Sequence, residues 1–361
     1  MKFRELSLTK VSGALPRALD NPRTPELERA GLVLRLTDAE GNVGLGEASP
    51  LPGFSAESLE ACRLALEALS LGALEACFGA PGSLLARLER ARALLPNGLP
   101  AAQFSLETAL LDLTCARTQR SPFELFERPA LARIELNAVL DATLPGAYES
   151  ALELLGRGYT TLKLKLGTAW EQALDTLIRL TGHSGLKLRV DANRGLGTLD
   201  LPRALPRLAE LTLEYLEEPC APELWASLPA TRPRLALDES LLGMTPDMLP
   251  NLLRRAKAQV IVLKPMALGG FSECLRWAAA ARALGSEVVV THLFDGPIAL
   301  RAASVLALLV HSPTLAAGLA PHAGLAIWPE APSVTLTGSQ IEPECFSGGI
   351  SPANYWQELG A

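Results

Sequence analysis

The chain has 361 residues, 48% hydrophobic and 20% charged, with 33 Lys and Arg against 39 Asp and Glu for a formal net charge of −6. That length and apolar content permit a large core and more than one domain and exclude a disordered or fibrous protein. The basic residues are scattered, which argues against nucleic acid or an anionic membrane as partner and leaves a small anionic substrate open. The six cysteines, Cys62, Cys77, Cys115, Cys220, Cys274 and Cys345, fall at wide spacings with no CxxC, so reduced thiols are expected rather than a zinc site or a disulfide framework. The N-terminus, MKFRELSLTK, is charged and alternating where a secretory signal needs an apolar stretch, and the most apolar run, residues 302–310, is too short to span a bilayer. A cytoplasmic protein is expected.

Residues 1–47 read as a meander: KFRELSLTKVS, a polar Pro-rich link ALDNPRTPELER, then GLVLRLTDAEGNVGLGEA, whose AEGN turn between alternating runs marks a hairpin. From residue 55 to about 92 the apolar spacing is helical, with Ser55, Ser58 and Glu60 at its start, and a further helix is expected over about 101–117. A small α+β domain over 1–105 follows, completed by residues 327–361, whose PSVTLTGS run is expected to return to it as an extra strand.

After Arg133 strand-like runs alternate with helical stretches: IELNAVL and a helix over 145–157, TTLKLKLG and 170–181, LKLRVDAN and 201–211, then YLEEP, LALDES, VIVLKP and EVVVTHLF, ending in LAAGLAP near residue 319. Seven or eight such units in residues 106–326 fit a (β/α) barrel, in which active sites sit at the C-terminal strand ends. A doubly wound open sheet would instead place a Gly-rich turn after its first strand, and neither GxGxxG nor GxxxxGK[ST] occurs.

Chemically matched residues close these runs: Lys163 and Lys165, Asp191, Glu217, Asp238 and Lys264. The three acids are 26 and 21 residues apart, about one βα unit each, so neighbouring strands could each offer one oxygen to a divalent cation. Hard oxygen ligands without His or Cys favour Mg²⁺ or Mn²⁺ over zinc. Any one of these acids alone reads equally as a helix N-cap or surface group, but three in consecutive units are harder to ascribe to chance. Lys163 and Lys165, two apart on one strand, face the same side. Inside a barrel such a lysine is desolvated, and beside a cation its pKa falls toward the range of a base, although an amphipathic strand with solvated lysines gives the same KLK pattern. With Lys264 ending the most apolar strand on the far side, the arrangement suits a small-molecule carboxylate substrate whose α-proton is removed while the resulting charge is held by a metal.

These residues resemble the enolase superfamily in its muconate-lactonizing-enzyme subgroup, defined by a KxK motif, an Asp/Glu/Asp metal triad and a sixth-strand Lys. The resemblance covers nearly the whole chain and implies a modified (β/α)7β TIM-like barrel with an α+β capping domain. Within the subgroup, GLGEASPLPGFSAES, LRVDANRGL, YLEEPC and LALDESL are most similar to the o-succinylbenzoate synthase family. The resemblance implies Lys165 as the general base that also returns the proton to the departing hydroxyl, and Lys163 against the substrate carboxylate. It implies Lys264 facing the enediolate from the other side, and Asp191, Glu217 rather than Glu218, and Asp238 as ligands of Mg²⁺, with Mn²⁺ able to substitute. The implied reaction is dehydration of 2-succinyl-6-hydroxy-2,4-cyclohexadiene-1-carboxylate to 2-succinylbenzoate in menaquinone biosynthesis.

Around this centre the resemblance implies substrate-binding positions at Asn193 and Arg189, the former equally suited to a helix cap, and in the covering loop SPLPGFS at Pro52, Gly53 and Phe54. An ordinary Pro/Gly turn has the same composition. Residues 19–29 would form a partner lid in which Arg23 or Arg29 meets a substrate carboxylate. THLFDGPIAL, residues 291–300, departs from the Ser-rich segment of well-known members; Asp295 supplies an acidic position and Gly296 only a backbone N–H for a distal carboxylate. His292 would need a sixth-strand Asp to act as a mandelate-racemase-type base, where this chain has Lys264, so a structural histidine is expected. A racemase or epimerase of the same subgroup, acting on N-acylamino acids or dipeptides, also needs both lysines. LAAGLAPHAGL, however, lacks the D-x-D acids with which dipeptide epimerases hold an ammonium. A non-catalytic relic of the barrel would be expected to lose members of the metal and lysine set, and a homo-oligomer is left open.

Overall fold

The structure is a computed structural model and describes residues 1–16, 27–166, 169–329, 339–351 and 355–358. Strands β1 (Phe3–Ala14), β2 (Glu28–Asp38) and β3 (Val43–Ala48) form an antiparallel sheet in that order. The β2–β3 hairpin turns on AEGN because Asp38 Oδ1 accepts the backbone N–H groups of Glu40 and Asn42 at 3.0 and 2.8 Å and Gly41 adopts φ +90°. The helical stretch that follows is three helices, α1 (Leu59–Glu67), α2 (Leu71–Gly79) and α3 (Leu84–Arg92). Each begins on a serine, Ser58, Ser70 or Ser83, whose hydroxyl accepts the N–H three residues on.

Helix α4 (Pro100–Thr118) lies directly across β3: a Cβ at Gly44 would collide with the Ala109 carbonyl and one at Gly46 with the Ser105 carbonyl. The domain boundary expected at residue 105 therefore falls inside one continuous helix. Because residues 101–115 of α4 are all buried, its acids must find partners in the interior. Asp112 accepts the N–H of Leu45 at 2.9 Å and those of Ile350 and Ser351 at 2.9 and 3.0 Å.

After the short helix α5 (Pro122–Phe126) and strand β4 (Ile134–Glu135), seven parallel strands follow one another round a single sheet in chain order. They are β5 (Asn137–Asp141), β6 (Thr161–Lys165), β7 (Lys187–Asp191), β8 (Leu213–Glu217), β9 (Leu235–Leu237), β10 (Val260–Leu263) and β11 (Glu287–Val290). Residues 317 and 318 close the ring as an eighth stave: Asn137 N–H donates to the Ala317 carbonyl at 2.9 Å and Gly318 N–H to that of Val290 at 3.0 Å. Outside lie α6 (Ala147–Gly156), α7 (Trp170–Thr181), α8 (Leu201–Ala209), α9 (Leu249–Ala256), α10 (Pro265–Leu268), α11 (Phe271–Ala283) and α12 (Pro297–Val310), while β8 and β9 are joined by a 3₁₀ turn over Pro222–Ser227. This is the (β/α)7β barrel that the strand spacing implies.

Two buried acids of the N-terminal region seat themselves on barrel helices. Glu47 accepts the N–H of Gly296 at 2.6 Å and of Ala299 at 3.1 Å at the start of α12, and Glu107 accepts the N–H of Ser272 at 3.0 Å, together with its hydroxyl, at the start of α11. The PSVTLTGS run, and with it the strand expected there, lies outside the described residues apart from Ser339, and the next two residues, β12 (Gln340–Ile341), pair with β4. Among the described residues no helix is long and apolar enough to cross a membrane.

Candidate active site

Strand register brings the polar residues together. Lys165 pairs with Asp191 and Asp191 with Glu217, so the last residues of β6, β7 and β8 share one level. Glu217 pairs with Ala236, which leaves Asp238 two residues further along the same face, and Lys264 immediately follows β10. Lys163, Lys165, Asp191, Glu217 and Lys264 line one cavity at the C-terminal end of the barrel.

Lys163 Nζ donates to Asp191 Oδ2 at 2.9 Å and to Glu217 Oε1 at 2.7 Å, and Lys264 is paired with Asp238. Burial, reinforced by Asp191, pushes the Glu217 carboxyl well above the usual range against the pull of Lys163. Burial would raise Asp191 as well, but the Lys163 charge holds it below its ordinary value. Burial opposes the charge on both lysines, yet the acids prevail: Asp191 and Glu217 hold Lys163 well above, and Asp238 and Glu239 hold Lys264 above, an ordinary lysine.

Among the described residues no three His, Cys, Asp or Glu side chains are gathered about one point as they stand, because the lysine ammonium groups occupy the carboxylates. The donor set nonetheless fits a hard divalent cation. All three acids are buried at the ends of consecutive strands, Glu217 Oε2 has no hydrogen-bonding partner, and a cation would offset both the burial and the Asp191 charge that raise Glu217.

Glu218 faces elsewhere. At φ +39° it turns outward to accept the N–H groups of Asp238 and Ser240, both at 2.8 Å, and to pair with Arg194 at 3.0 Å, so it shapes the strand end that presents Asp238. Glu239, which the sequence reading passed over, is buried beside Asp238; burial and then the Asp238 charge push it up to about 7. Its only signal is adjacency to Asp238 in LALDES.

Asn193 lines the cavity, its backbone N–H donating to Asp191 Oδ1 at 3.0 Å, while its side-chain Oδ1 is buried without a partner and caps no helix. Arg189 corrects the expectation of a substrate contact: two residues before Asp191, it is fully buried and does not line the cavity. It donates to Glu214 at 2.6 Å, Asn137 Oδ1 at 2.9 Å and the Ala316 carbonyl at 2.6 Å, pinning the first stave to the last. In the covering loop Leu51 and Phe54 line the cavity, and the Phe54 ring lies 4.3 Å from Lys264 Nζ. Pro52 and Gly53, with Gly53 at φ +74°, form the exposed outer turn that folds Phe54 inward and do not line it.

Arg29 also departs from expectation. Its buried guanidinium donates to the carbonyls of Ser49, Pro50 at 2.7 Å, Leu293 at 3.3 Å and Phe294 at 3.2 Å, stapling the covering loop to the loop after β11. Arg23 lies outside the described residues. Gly296 and Asp295 sit behind that loop and do not reach the cavity: the Gly296 N–H is taken by Glu47, and Asp295 is buried, its carboxyl pushed up to about 7 by burial and then by Glu47. The wall there is formed instead by His292, Leu293, Phe294 and, from the segment after the eighth stave, His322, whose ring centroid is 4.1 Å from that of His292.

Comparison with known proteins gives two family matches, "Enolase C-terminal domain-like" over residues 147–334 and "MenC, N-terminal domain" over residues 22–76. An o-succinylbenzoate synthase of Desulfotalea psychrophila is 31% identical over 313 residues, 78% of this chain and 84% of that one. An L-Lys-D/L-Arg epimerase of Methylococcus capsulatus is 32% identical over 285 residues, 75% of this chain and 77% of that one. Among solved structures, the substrate-liganded L-Ala-D/L-Glu epimerase of Bacillus subtilis superposes with a TM-score of 0.78 at 23% identity, covering 95% of this chain and 96% of that one. A Methylococcus capsulatus dipeptide epimerase complexed with Mg and a dipeptide superposes with a TM-score of 0.73 at 28% identity, covering 86% and 88%.

Proposed function

The chain belongs to the enolase superfamily, and on that premise we propose that it is an o-succinylbenzoate synthase, dehydrating 2-succinyl-6-hydroxy-2,4-cyclohexadiene-1-carboxylate to 2-succinylbenzoate. Asp191, Glu217 and Asp238 would hold Mg²⁺, which when bound neutralises the charge that builds on the substrate carboxylate. Lys163 orients that carboxylate beside the acids. Lys165 Nζ takes the proton α to it, and the same proton leaves with the hydroxyl as water, so the ring becomes aromatic and the base is regenerated. Lys264, across the cavity, stabilises the enediolate by its charge. Phe54 and Leu51 cover the site and exclude water.

The observation that carries this reading within the superfamily is the match over residues 22–76, the part of the chain that supplies β2, β3 and the covering loop. The cavity supports it: among its described lining residues the acids are Asp191 and Glu217, both in the proposed metal set, and these residues leave none for a substrate ammonium. A racemase of N-acylamino acids is a second reading, favoured by the inward lysines on β6 and after β10 and by epimerase relatives of similar identity. A non-catalytic relic is disfavoured because every member of the metal and lysine set is present.

Purified protein with Mg²⁺ is to be assayed with the cyclohexadiene acid beside N-succinylamino acids and L-Ala-L-Glu. Formation of 2-succinylbenzoate as the fastest reaction supports the reading; epimerisation without any dehydration overturns it.

A further inference from the structure

Phe294 adopts φ +54°, a left-handed conformation that a phenylalanine rarely takes and that tends to be kept where a site depends on it. The consequence is specific: its N–H turns back onto Nδ1 of His292, two residues earlier, at 3.1 Å. A ring nitrogen that accepts a hydrogen bond carries no proton, so the His292 proton resides on Nε2, and the ring presents one donor there. Burial, then His322 and the three nearby lysine charges push the His292 pKa well down, which keeps the ring in this single-donor form. His322, itself pushed down to about 3 by burial and then Arg29, packs against the ring and holds its plane. His292 lines the cavity, and among the described residues its Nε2 has no protein partner.

The cavity lining is therefore of two kinds. Lys163, Lys165, Lys264 and the two lining acids are charged, whereas His292 is a neutral imidazole donor flanked by Phe294 and His322, with Lys165 Nζ 5.8 Å from the Phe294 ring. We propose that His292 determines specificity by donating its Nε2–H to a second acceptor on the substrate, a carbonyl or carboxylate of an acyl chain remote from the carboxylate held by the lysines. This rests on the reading above and deepens it, because a succinyl group offers such acceptors. The ammonium or guanidinium of a basic dipeptide would set donor against donor.

The test uses the full chain loaded with Mg²⁺ and the variants His292→Leu and His292→Gln, glutamine placing an amide N–H near the Nε2 position. By calorimetry, 2-succinylbenzoate should bind about 10-fold more weakly to His292→Leu, benzoate should bind wild type and variant alike, and His292→Gln should recover most of the loss. In turnover, KM should rise by a similar factor with kcat changed by less than about 3-fold. Equal weakening for benzoate, or a glutamine variant as poor as leucine, overturns the proposal. So does a fall in kcat at constant KM, which would make His292 part of the proton chemistry. A wild type unable to dehydrate the cyclohexadiene acid defeats the dehydration reading alone, since the binding comparison needs no turnover and still decides the role of His292.

Discussion

Lys163 reaches past β7 to Glu217 on β8, Nζ to Oε1 at 2.7 Å, and leaves the other oxygen of that carboxylate buried with no partner. A lysine can satisfy only part of this acid cluster, and the remaining oxygen defines where a cation would add most.

Chelation should accordingly abolish turnover, with recovery on adding Mg²⁺ or Mn²⁺. Asp238→Asn should weaken Mg²⁺ binding at least 10-fold by calorimetry, removing one charged ligand from the set. Full activity in EDTA would make the triad structural.

Lys165→Ala should lower kcat by about 10³-fold or more, the size expected when a positioned acid–base group is removed. The variant should also stop exchanging the substrate α-proton in D₂O while its melting temperature stays within a few degrees of wild type. Retained exchange would transfer the base role to another group.

Glu107 is pushed up to about 7, chiefly by burial. A carboxyl whose folded pKa exceeds its unfolded one binds more protons when folded, so its contribution is complete below about pH 4.5 and is lost as pH rises through 7. Wild type should therefore lose stability relative to Glu107→Gln between pH 5 and pH 8, by up to about 3 kcal/mol. Denaturant melts of both proteins at the two pH values check this; a constant difference would mean that Glu107 titrates normally.

Gly46→Ala should destabilise by about 3 kcal/mol or prevent folding, because its methyl group would strike the Ser105 carbonyl in the rigid middle of α4. Gly348→Ala, where nothing lies within 4 Å of the added Cβ, should change stability by less than about 0.5 kcal/mol. Equal effects at the two positions would refute the close approach of helix and sheet.

Much of the barrel was legible because its signal is periodic: the helix over 170–181 and the strands ending at Lys165, Asp191 and Glu217 fall where the spacing places them. Periodicity shows which side a residue faces but not how deep it lies. Arg189 and Asp191 face the same way, yet only Asp191 reaches the cavity, because the Arg189 guanidinium is taken up by Glu214, Asn137 and the Ala316 carbonyl. The amide of Gly296 was illegible for a different reason: its partner, Glu47, is 249 residues away in a motif whose local reading is a covering loop. The breaks between α1, α2 and α3 were written in serines that also read as ordinary helix-surface residues.

The seating of Glu47 and Glu107 on α12 and α11 bears on how specificity in this architecture can be re-engineered. Both acids accept backbone N–H groups at the starts of helices they do not belong to, so the N-terminal region is fastened to the barrel at two points. A chimera that transplants a foreign N-terminal half onto this barrel must bring carboxylates to positions 47 and 107, or it will leave two helix termini bare beside the strands that carry Lys264 and His292.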